Sequence, residues 1–416
     1  MLKLERILAA AAAGAVASVI VVAGSGTAGA EDTITLGAAV SLTGKYSTNG
    51  KNTEDGYDLA VKVINDKGGI KVAGKTYRLA IKYYDDESTP ARGAQLVERL
   101  ISQDGVKFVL GPYSSALTKA IAPVTERYRI PMIQANGADR DLFTQGYKYN
   151  FAVLSTSDQY LASAVQLLGE LTRAAGKDPK QLKVAIAVEN DPFSQDIRDG
   201  IVEDAKNWGM KVVIDEKLPP DFNDMSATLT KVKALKPDLL VVSGHVKGAQ
   251  LGVRQVSEQK VDVAMLASTQ CDAADIINKY GKAAEYWLCG SQWDRSLTYS
   301  DSWFGSAEDF AKLFEKTYKY EAPYQAAESA AAVLVFVDAL QRAGSLDVEK
   351  VRDAIAKTDT QTFYGHVKFD ETGKNVAKPM VLYQVQNGQY KVVAPQKWAA
   401  AKVIFPTPTW DHRVQN

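Results

Sequence analysis

The pattern of apolar and polar positions after residue 30 alternates between two periods along most of the chain. Short apolar runs predict strands at 34–42, 77–84, 107–110, 131–134, 183–188, 211–216, 238–242, 263–267 and 286–289. Segments with helical spacing separate these runs. In the segment 53–67, for example, Tyr57, Ala60, Val61 and Ile64 fall on one side of a helix. Alternating strands and helices predict parallel sheets with helices on both faces.

The predicted strands form two series, and a crossing segment near 151–157 separates them. Two similar series predict two similar lobes. Helices over 307–320 and 324–342 follow, and strands are predicted within 367–393 around the turns Thr372-Gly373 and Asn387-Gly388. We expect the first lobe to comprise 31–153, completed by about 293–366. We expect the second lobe to comprise 154–292, completed by about 367–410.

The stretch Gly69–Thr76 matches the Gly-x-x-x-x-Gly-Lys-Thr pattern of a phosphate-binding loop. That motif needs a strand before it and a helix after it. Here a predicted helix precedes it and a predicted strand follows, so no helix N-terminus is available to hold phosphate. The sequence therefore predicts a turn here and no ATP site.

The first thirty residues have the features of a secretory signal. Lys3 and Arg6 precede an apolar run over 7–24, and Ala28-Gly29-Ala30 supplies small residues before a cleavage site. Cleavage is expected after Ala30, and because no cysteine follows, no lipid anchor is expected. An N-terminal membrane anchor is the alternative, which the weakly hydrophobic alanines disfavour. We expect the mature protein in the periplasm.

The composition and the absence of known catalytic motifs reduce the number of possible functions. The chain has 416 residues, 46% hydrophobic and 24% charged, with a formal net charge of zero. This balance gives no general attraction to nucleic acid or anionic membranes. The sequence contains three histidines, no Gly-x-Ser-x-Gly, no His-Glu-x-x-His and no Cys–His cluster. We therefore expect no enzymatic activity, bound metal or cofactor. A catalytic triad whose residues are dispersed along the chain is the alternative, since it would leave no such sequence motif.

Cys271 and Cys289 are the two cysteines, near the ends of neighbouring predicted strands. In an oxidising compartment they are a plausible disulfide pair. Two buried free thiols are the alternative.

In open α/β sheets, ligands bind beyond the carboxyl ends of the strands. After the predicted strand 107–110 comes Gly111–Thr118, with Ser114 and Ser115 at the start of the next helix. A helix start with free N–H groups and hydroxyls suits a carboxylate. Capping of the helix alone is the competing interpretation.

The chain resembles the periplasmic branched-chain amino-acid-binding proteins of ABC importers over essentially its whole mature length. The resemblance rests on SLTG and INDKGGI within Ala38–Ile70, followed by GPYSSALT, IPMIQANGADRDLFTQGYKYNF and KVAIAVENDPFSQD, in that order. It implies the type I periplasmic binding fold: two Rossmann-like α/β lobes with parallel sheets, joined by a hinge of crossing strands.

The resemblance also implies a set of ligand-binding residues. Ser115 falls where the family holds the ligand carboxylate, and Phe193 falls where a tyrosine covers the ligand. The full expected set is Tyr113, Ser114, Ser115, Asn136, Gly137, Ala138, Phe193, His245, Thr269 and Gln270, with Tyr46, Asn49 and Trp293 at the cleft rim.

Two positions depart from the family pattern. The ammonium-binding threonine is replaced by Ala138, and the glutamate by Thr269 or Gln270. Either another acid substitutes, or the ligand lacks an ammonium group. Candidate substitutes are Asp139, Glu189 and Asp272. Aromatic residues, among them Tyr113 and Phe193, would suit an aromatic or aliphatic acid instead.

The function expected from this resemblance is solute binding for an ABC importer. A small carboxylate-bearing ligand, with an amino acid of branched-chain type favoured, would bind in a cleft that closes by hinge motion. A membrane permease and an ATPase are the implied partners, and we expect a monomer that binds no nucleic acid. The alternatives are a binder of an organic acid or amide, a ligand-sensing domain, and last an exported hydrolase.

Overall fold

The computed structural model describes residues 32–220 and 222–413, so the signal segment predicted for residues 1–30 lies outside the described residues. The first sheet has the strand order β2-β3-β1-β4-β5-β6. All neighbouring pairs are parallel except β2 with β3. Its strands are β1 Thr33–Val40, β2 Ile70–Val72, β3 Lys75–Asp85, β4 Val109–Leu110, β5 Met132–Gln134 and β6 Asn150–Ala152.

The second sheet contains the later strands. They are β7 Lys183–Glu189, β8 Lys211–Leu218, β9 Leu239–Ser243, β10 Met265–Thr269, β11 Leu288–Ser291, β16 Val381–Gln386 and β17 Gln389–Ala394. The order is β17-β16-β11-β10-β9-β7-β8, and the pairs made by β16 are antiparallel. Two small ribbons pair β12 Ser300–Asp301 with β13 Gly305–Ser306 and β14 Asp359–Gln361 with β15 His366–Lys368. The predicted α/β fold of two sheets is confirmed.

Helices connect the strands of both sheets. They are α1 Ser47–Asp66, α2 Pro90–Ser102, α3 Ser115–Tyr128, α4 Ala162–Ala174, α5 Pro192–Trp208, α6 Ser226–Leu235, α7 His245–Glu258, α8 Ile276–Tyr280, α9 Ala307–Tyr318, α10 Tyr324–Ala343, α11 Val348–Ala356 and α12 Trp410–Arg413. Side chains cap the starts of α5, α9 and α11. At α9, Ser306 and Asp309 form a reciprocal capping box that satisfies free amides of the first turn.

The central strands are buried throughout because helices cover both faces of each sheet. The five residues of β9, Leu-Leu-Val-Val-Ser, and those of β10, Met-Leu-Ala-Ser-Thr, are all buried, which explains why both strands begin with apolar runs. Helix α10 is also buried along most of its length and packs against α1 in the first lobe. A Cβ at Gly56 of α1 would lie 2.2 Å from the Ala326 carbonyl oxygen, so a glycine permits this close approach.

The chain passes between the two sheets after β6, after β11 and after β15. Gln292 ties these crossings together. Its Oε1 accepts from the Ser155 amide at 3.1 Å, and its Nε2 donates to the Ser155 carbonyl at 2.8 Å. Ser155 Oγ in turn donates to the Lys378 carbonyl at 2.6 Å. All three residues are buried, so the crossing segments form one hydrogen-bonded hinge.

The P-loop-like stretch forms a hairpin. Strands β2 and β3 pair antiparallel around Ala73 and Gly74, whose φ angles are 50° and 81°. It follows α1, as predicted, and no helix begins there.

Within residues 32–413, Asp221 aside, no single helix is long and apolar enough to span a membrane. Helices α10 and α11 meet the length and composition of a membrane span only when taken as a pair, and they are bent by 114° relative to each other.

Candidate functional site between the lobes

A small cavity lies where the carboxyl ends of both sheets face each other, and its interior of about 10 Å³ has room for one water molecule. Its wall consists of Tyr113, Ser114, Asn136, Tyr160, Phe193, His245, Gln270, Tyr324 and Glu328. Most of these residues follow strands β4, β5, β7, β9 and β10 in the chain, as expected for ligand sites in open α/β sheets. Tyr324 and Glu328 come instead from the first turns of α10.

The two serines at the start of α3 have different environments. Ser115 Oγ accepts hydrogen bonds from the Ala138 and Asp139 amides, each at 3.1 Å, which fixes α3 to the loop after β5. Ser114 is the N-cap residue, yet its side chain makes no capping bond. Its Oγ is buried without a hydrogen-bond partner. Ser114 therefore offers the cavity a free hydroxyl at a helix N-terminus, whereas Ser115, the residue favoured from the sequence, is not on the cavity wall.

The loop after β5 supplies one polar residue to the cavity. Asn136 Nδ2 donates to Thr53 Oγ1 at 3.3 Å and to Ser329 Oγ at 3.2 Å, while its Oδ1 is buried without a partner. Gly137 is bonded at both its N–H and its C=O to the Gln134 side chain. Gly137 and Ala138 are therefore beside the site and not on its wall. Asn136 presents a free acceptor.

Aromatic rings from both lobes close the cavity. The Tyr113 hydroxyl lies 2.7 Å from His245 Nδ1. The His245 ring stacks on Phe193 at 5.3 Å between centroids and lies 4.8 Å from Tyr46. Tyr160 meets Phe193 edge to face at 5.2 Å. Burial raises the pKa of Tyr113 well above its usual value and that of Tyr46 to about 12, so these phenols are neutral at physiological pH.

Acidic residues of the second lobe lie behind this aromatic wall. Asp191 Oδ1 caps α5 by accepting from the Phe193 and Ser194 amides, and it lies 3.3 Å from His245 Nε2. Burial alone would raise the pKa of Asp191, but His245 and the helix start hold it below its usual value. Glu189 faces Lys45 of the first lobe at 3.5 Å.

Glu189, Asp191 and His245 each place one potential metal-ligand atom within 4.8 Å of the others. In this structure the same side chains contact Lys45, the α5 amides and Tyr113. Glu189 and His245 therefore contribute to the contact between the lobes, while Asp191 caps α5 within the second lobe and orients His245.

Thr269 and Gln270 are the two residues at which the family resemblance implies a glutamate. Gln270 Oε1 accepts from Asn49 Nδ2 at 2.8 Å and from Gln325 Nε2 at 2.7 Å. Asn49 and Gln325 belong to α1 and α10, so Gln270 also joins the lobes. Thr269 is buried in β10, where its hydroxyl lies 3.0 Å from Ser243 Oγ, and it is not on the cavity wall.

The remaining acid on the wall, Glu328, is absent from the set expected from the sequence. It is 1% exposed, and its Oε2 accepts from the Tyr364 hydroxyl at 3.3 Å. Lys378 Nζ donates to the Gln292 carbonyl and lies 4.2 Å above the Tyr364 ring. Burial raises the pKa of Glu328 well above its usual range, an effect that nearby Lys378 opposes. Burial likewise lowers the pKa of Lys378 to about 7.

A family model described as periplasmic binding protein matches residues 33–389, which is most of the chain. The chain belongs to the periplasmic binding protein family. The Leu/Ile/Val-binding protein homolog 8 of Brucella abortus is 24% identical over 382 residues, covering 89% of this chain and 93% of that relative.

Solved structures of similar fold include two with different ligands. LivJ, a branched-chain amino acid transporter substrate binding protein from Streptococcus pneumoniae in complex with isoleucine, has a TM-score of 0.73 and 21% identity, covering 90% of this chain and 100% of that one. An ABC transporter solute binding protein from R. palustris in complex with benzoate has a TM-score of 0.71 and 19% identity, covering 90% and 98%. These similarities confirm the bilobed type I fold.

In this periplasmic binding protein, the three acids that the sequence offered as substitutes for the family's glutamate all have protein partners. Asp139 pairs with Lys119, Glu189 with Lys45, and Asp272 accepts from the Tyr324 amide at 3.1 Å. Trp293 packs between Phe310 and Phe363 at centroid distances of 5.7 and 6.3 Å. Together with Asp272 it lines a separate open cleft, so neither residue is on the wall of the interlobe cavity.

Cys271 and Cys289 form a disulfide with a Cα–Cα distance of 6.1 Å. It links the loop after β10 to β11, directly after the cavity residue Gln270. Both cysteines are 1% exposed, and neither is on the cavity wall. Of the two alternatives left open by the sequence, the structure contains the bonded pair.

Proposed function

We propose that this protein is the solute-binding component of an ABC importer and that it closes on a small carboxylate-bearing ligand, with an amino acid of branched-chain type favoured. The observation that carries the proposal is the interlobe cavity with the unpaired Ser114 hydroxyl at the start of α3. A 14-residue helix directs free amides and partial positive charge toward that point. A carboxylate placed there would satisfy both the hydroxyl and the helix N-terminus.

The contacts between the lobes support capture by closure. Tyr113 with His245, Asn49 with Gln270, and Lys45 with Glu189 each join one lobe to the other. These contacts can form only when the lobes are together, whereas Ser155, Gln292 and Lys378 hold the crossing segments. A ligand that bridges the lobes would shift the population toward the closed form.

The branched-chain preference rests on relatives. The Brucella relative is named for leucine, isoleucine and valine, and LivJ was solved with isoleucine. Apolar faces of Phe193, Tyr160 and Tyr324 would pack against an aliphatic side chain.

An aromatic or aliphatic organic acid, or an amide, is the second candidate. The same ring-lined wall suits a planar ligand, and the R. palustris protein of the same fold was solved with benzoate. The absence of an acid at both Thr269 and Gln270 favours this candidate further, because the resemblance implies a glutamate there that would pair with an ammonium group.

The rest of the proposal concerns location and partners. We place the protein in the periplasm after cleavage at Ala30, as a monomer whose closed form a permease recognises while a separate subunit hydrolyses ATP. We assign it no catalytic role, cofactor or nucleic-acid partner. A role as a ligand-sensing domain is the remaining alternative to transport.

Calorimetry and thermal shift with L-leucine, 4-methylpentanoate and benzoate test the ligand class. 4-Methylpentanoate is leucine without its amine, so the pair differs in one group. We expect L-leucine to bind tightest and, at about 100 times its dissociation constant, to stabilise the protein by about 2.7 kcal/mol. Tighter binding of 4-methylpentanoate or benzoate would replace the amino-acid assignment with the organic-acid one. Turnover of amino-acid esters or amides would contradict a pure binding role.

A further inference from the structure

Glu328 differs from the other acids near the cavity in having few partners. It lies one turn into α10, within the sequence Tyr-Gln-Ala-Ala-Glu-Ser-Ala-Ala-Ala-Val, and its neighbours along the helix are buried. Among the described residues, the Tyr364 hydroxyl at 3.3 Å is the one hydrogen-bond donor to its carboxyl. A carboxylate can accept several hydrogen bonds, so this acid retains unused capacity on the cavity side.

Lys378 is the nearby cation, but it does not form an ion pair with the Glu328 carboxyl. Its ammonium group is directed to the Gln292 carbonyl and the face of the Tyr364 ring. No ion pair within 4.0 Å joins Lys378 to Glu328 in the part of the chain that the structure describes. A fully buried carboxyl without a close cation is costly, and such groups are retained mainly where a ligand or a reaction uses them.

The surroundings of Glu328 favour a cation. Tyr113, Tyr160 and Tyr324 present neutral rings to the same cavity, and the faces of aromatic rings attract ammonium groups. Asn136 Oδ1 is an unpaired acceptor on this wall. The cavity thus has an anion-binding point at Ser114 and cation-binding chemistry at Glu328.

We infer that Glu328 receives the ammonium group of the bound ligand while the helix start at Ser114 receives its carboxylate. The inference rests on the proposed function, and it assigns Glu328 as the residue that determines specificity for ligands with an ammonium group. An acid on α10 then has the role that the resemblance gives to a glutamate at the position of Thr269 or Gln270. The substrate class is therefore zwitterionic: a carboxylate and an ammonium group on one small apolar skeleton.

The test measures binding of L-leucine, L-phenylalanine and their des-amino acids, 4-methylpentanoate and 3-phenylpropanoate, to the wild type and to Glu328→Gln. The substitution keeps the shape and removes the carboxyl group that would give up its proton and pair with the ammonium group of a bound amino acid. We expect the amino acid to bind at least about a hundredfold more weakly to Glu328→Gln, the range for losing one partner of a buried charge pair. The preference for amino acids over des-amino acids should disappear. Glu170→Gln, at an exposed position on α4, is the matched control and should bind like the wild type.

Because Glu328→Gln leaves Lys378 in the core without an acid nearby, the double variant Glu328→Gln/Lys378→Met is measured beside it. Lost binding in a folded double variant supports the inference. If the amino acids bind the wild type and Glu328→Gln equally well, the role of Glu328 is wrong while the proposed function stands. If the des-amino acids bind the wild type more tightly than the amino acids do, or if no amino acid binds at all, the amino-acid assignment and the role of Glu328 both fail.

Discussion

The Tyr113 hydroxyl lies 2.7 Å from His245 Nδ1, and this buried contact joins the first lobe to the second across the cavity. Tyr113 precedes α3, and His245 opens α7 with a left-handed φ of 52°. On its other side the imidazole lies 3.3 Å from Asp191 Oδ1. Tyr113 and Asp191 therefore hold the His245 ring from its two nitrogen atoms. Closure of the lobes fixes the orientation of this ring, which stacks on Phe193.

Removing the Tyr113 hydroxyl should weaken ligand binding by favouring the open form. Tyr113→Phe leaves His245 Nδ1 without its partner in the closed state only. We expect L-leucine to bind about five- to tenfold more weakly, corresponding to about 1–1.5 kcal/mol for one hydrogen bond. Calorimetry gives the affinity, and small-angle scattering gives the closed fraction. Tyr128→Phe, which removes a hydroxyl from a side chain 36% exposed, is the control. An unchanged affinity for Tyr113→Phe would show that this contact does not stabilise closure.

Substitutions at Ser114 and Ser115 should have different effects, the first on ligand affinity and the second on the stability of the fold. Ser114→Ala removes a hydroxyl that has no protein partner, so the melting temperature of the ligand-free protein should stay the same. Its affinity for L-leucine should fall by about 1.5–3 kcal/mol, the value of a hydrogen bond to a charged group. Ser115→Ala should instead lower the free energy of unfolding by about 1–3 kcal/mol, because the Ala138 and Asp139 amides lose their acceptor. The reverse assignment of effects would restore Ser115 as the ligand residue.

The disulfide should contribute to stability and little to recognition. Cys271 and Cys289 are separated by 18 residues, and closing a loop of that length corresponds to about 3 kcal/mol in the chain-entropy treatment. We expect the double change to Ser to lower the free energy of unfolding by about that amount in denaturant titrations. Affinity should stay within about tenfold, or 1.4 kcal/mol. A larger loss of affinity in a folded variant would place Cys271 in contact with the ligand.

Asp86 should make stability fall as pH rises through the weakly acidic range. Its Oδ1 accepts from Ser41 Oγ at 2.6 Å and the Ser88 amide at 2.8 Å, while its Oδ2 is buried without a partner. Burial raises its pKa to about 6. The folded state therefore holds this proton between pH 4 and 6, where the unfolded chain has released it. The resulting stabilisation is full below about pH 4 and is lost by about pH 6.

Asp86→Asn tests this sign. Denaturant unfolding at pH 4, 5, 6 and 7 should show that the variant lacks about 2–3 kcal/mol of the decrease seen in the wild type over this window. Asp66→Asn, at an exposed position at the end of α1, should follow the wild-type curve. Parallel curves for Asp86→Asn and the wild type would mean that Asp86 is charged in the folded state throughout.

The sequence determined the order and type of the main elements because apolar periodicity is a local property. The predicted runs at 183–188 and 238–242 are β7 and β9, and the helix predicted over 324–342 is α10. The same local reasoning correctly placed Gly69–Thr76 between a helix and a strand. It was the family resemblance that implied one site for Tyr113, Asn136, Phe193, His245 and Gln270; the structure has them on one cavity wall, where strand ends meet at the edges of the parallel sheets.

Only the tertiary structure decided which side chains face the cavity. Ser114 and Ser115 are equivalent in the sequence, and their roles divide because Ser115 meets amides brought in from another loop. Glu328 left a faint signal, a lone acid in the first half of an apolar helix, but its place on the wall depends on how α10 packs against α1. Side-chain direction and the pairing of distant segments, including Cys271 with Cys289, follow from packing of the whole chain, which local periodicity does not contain.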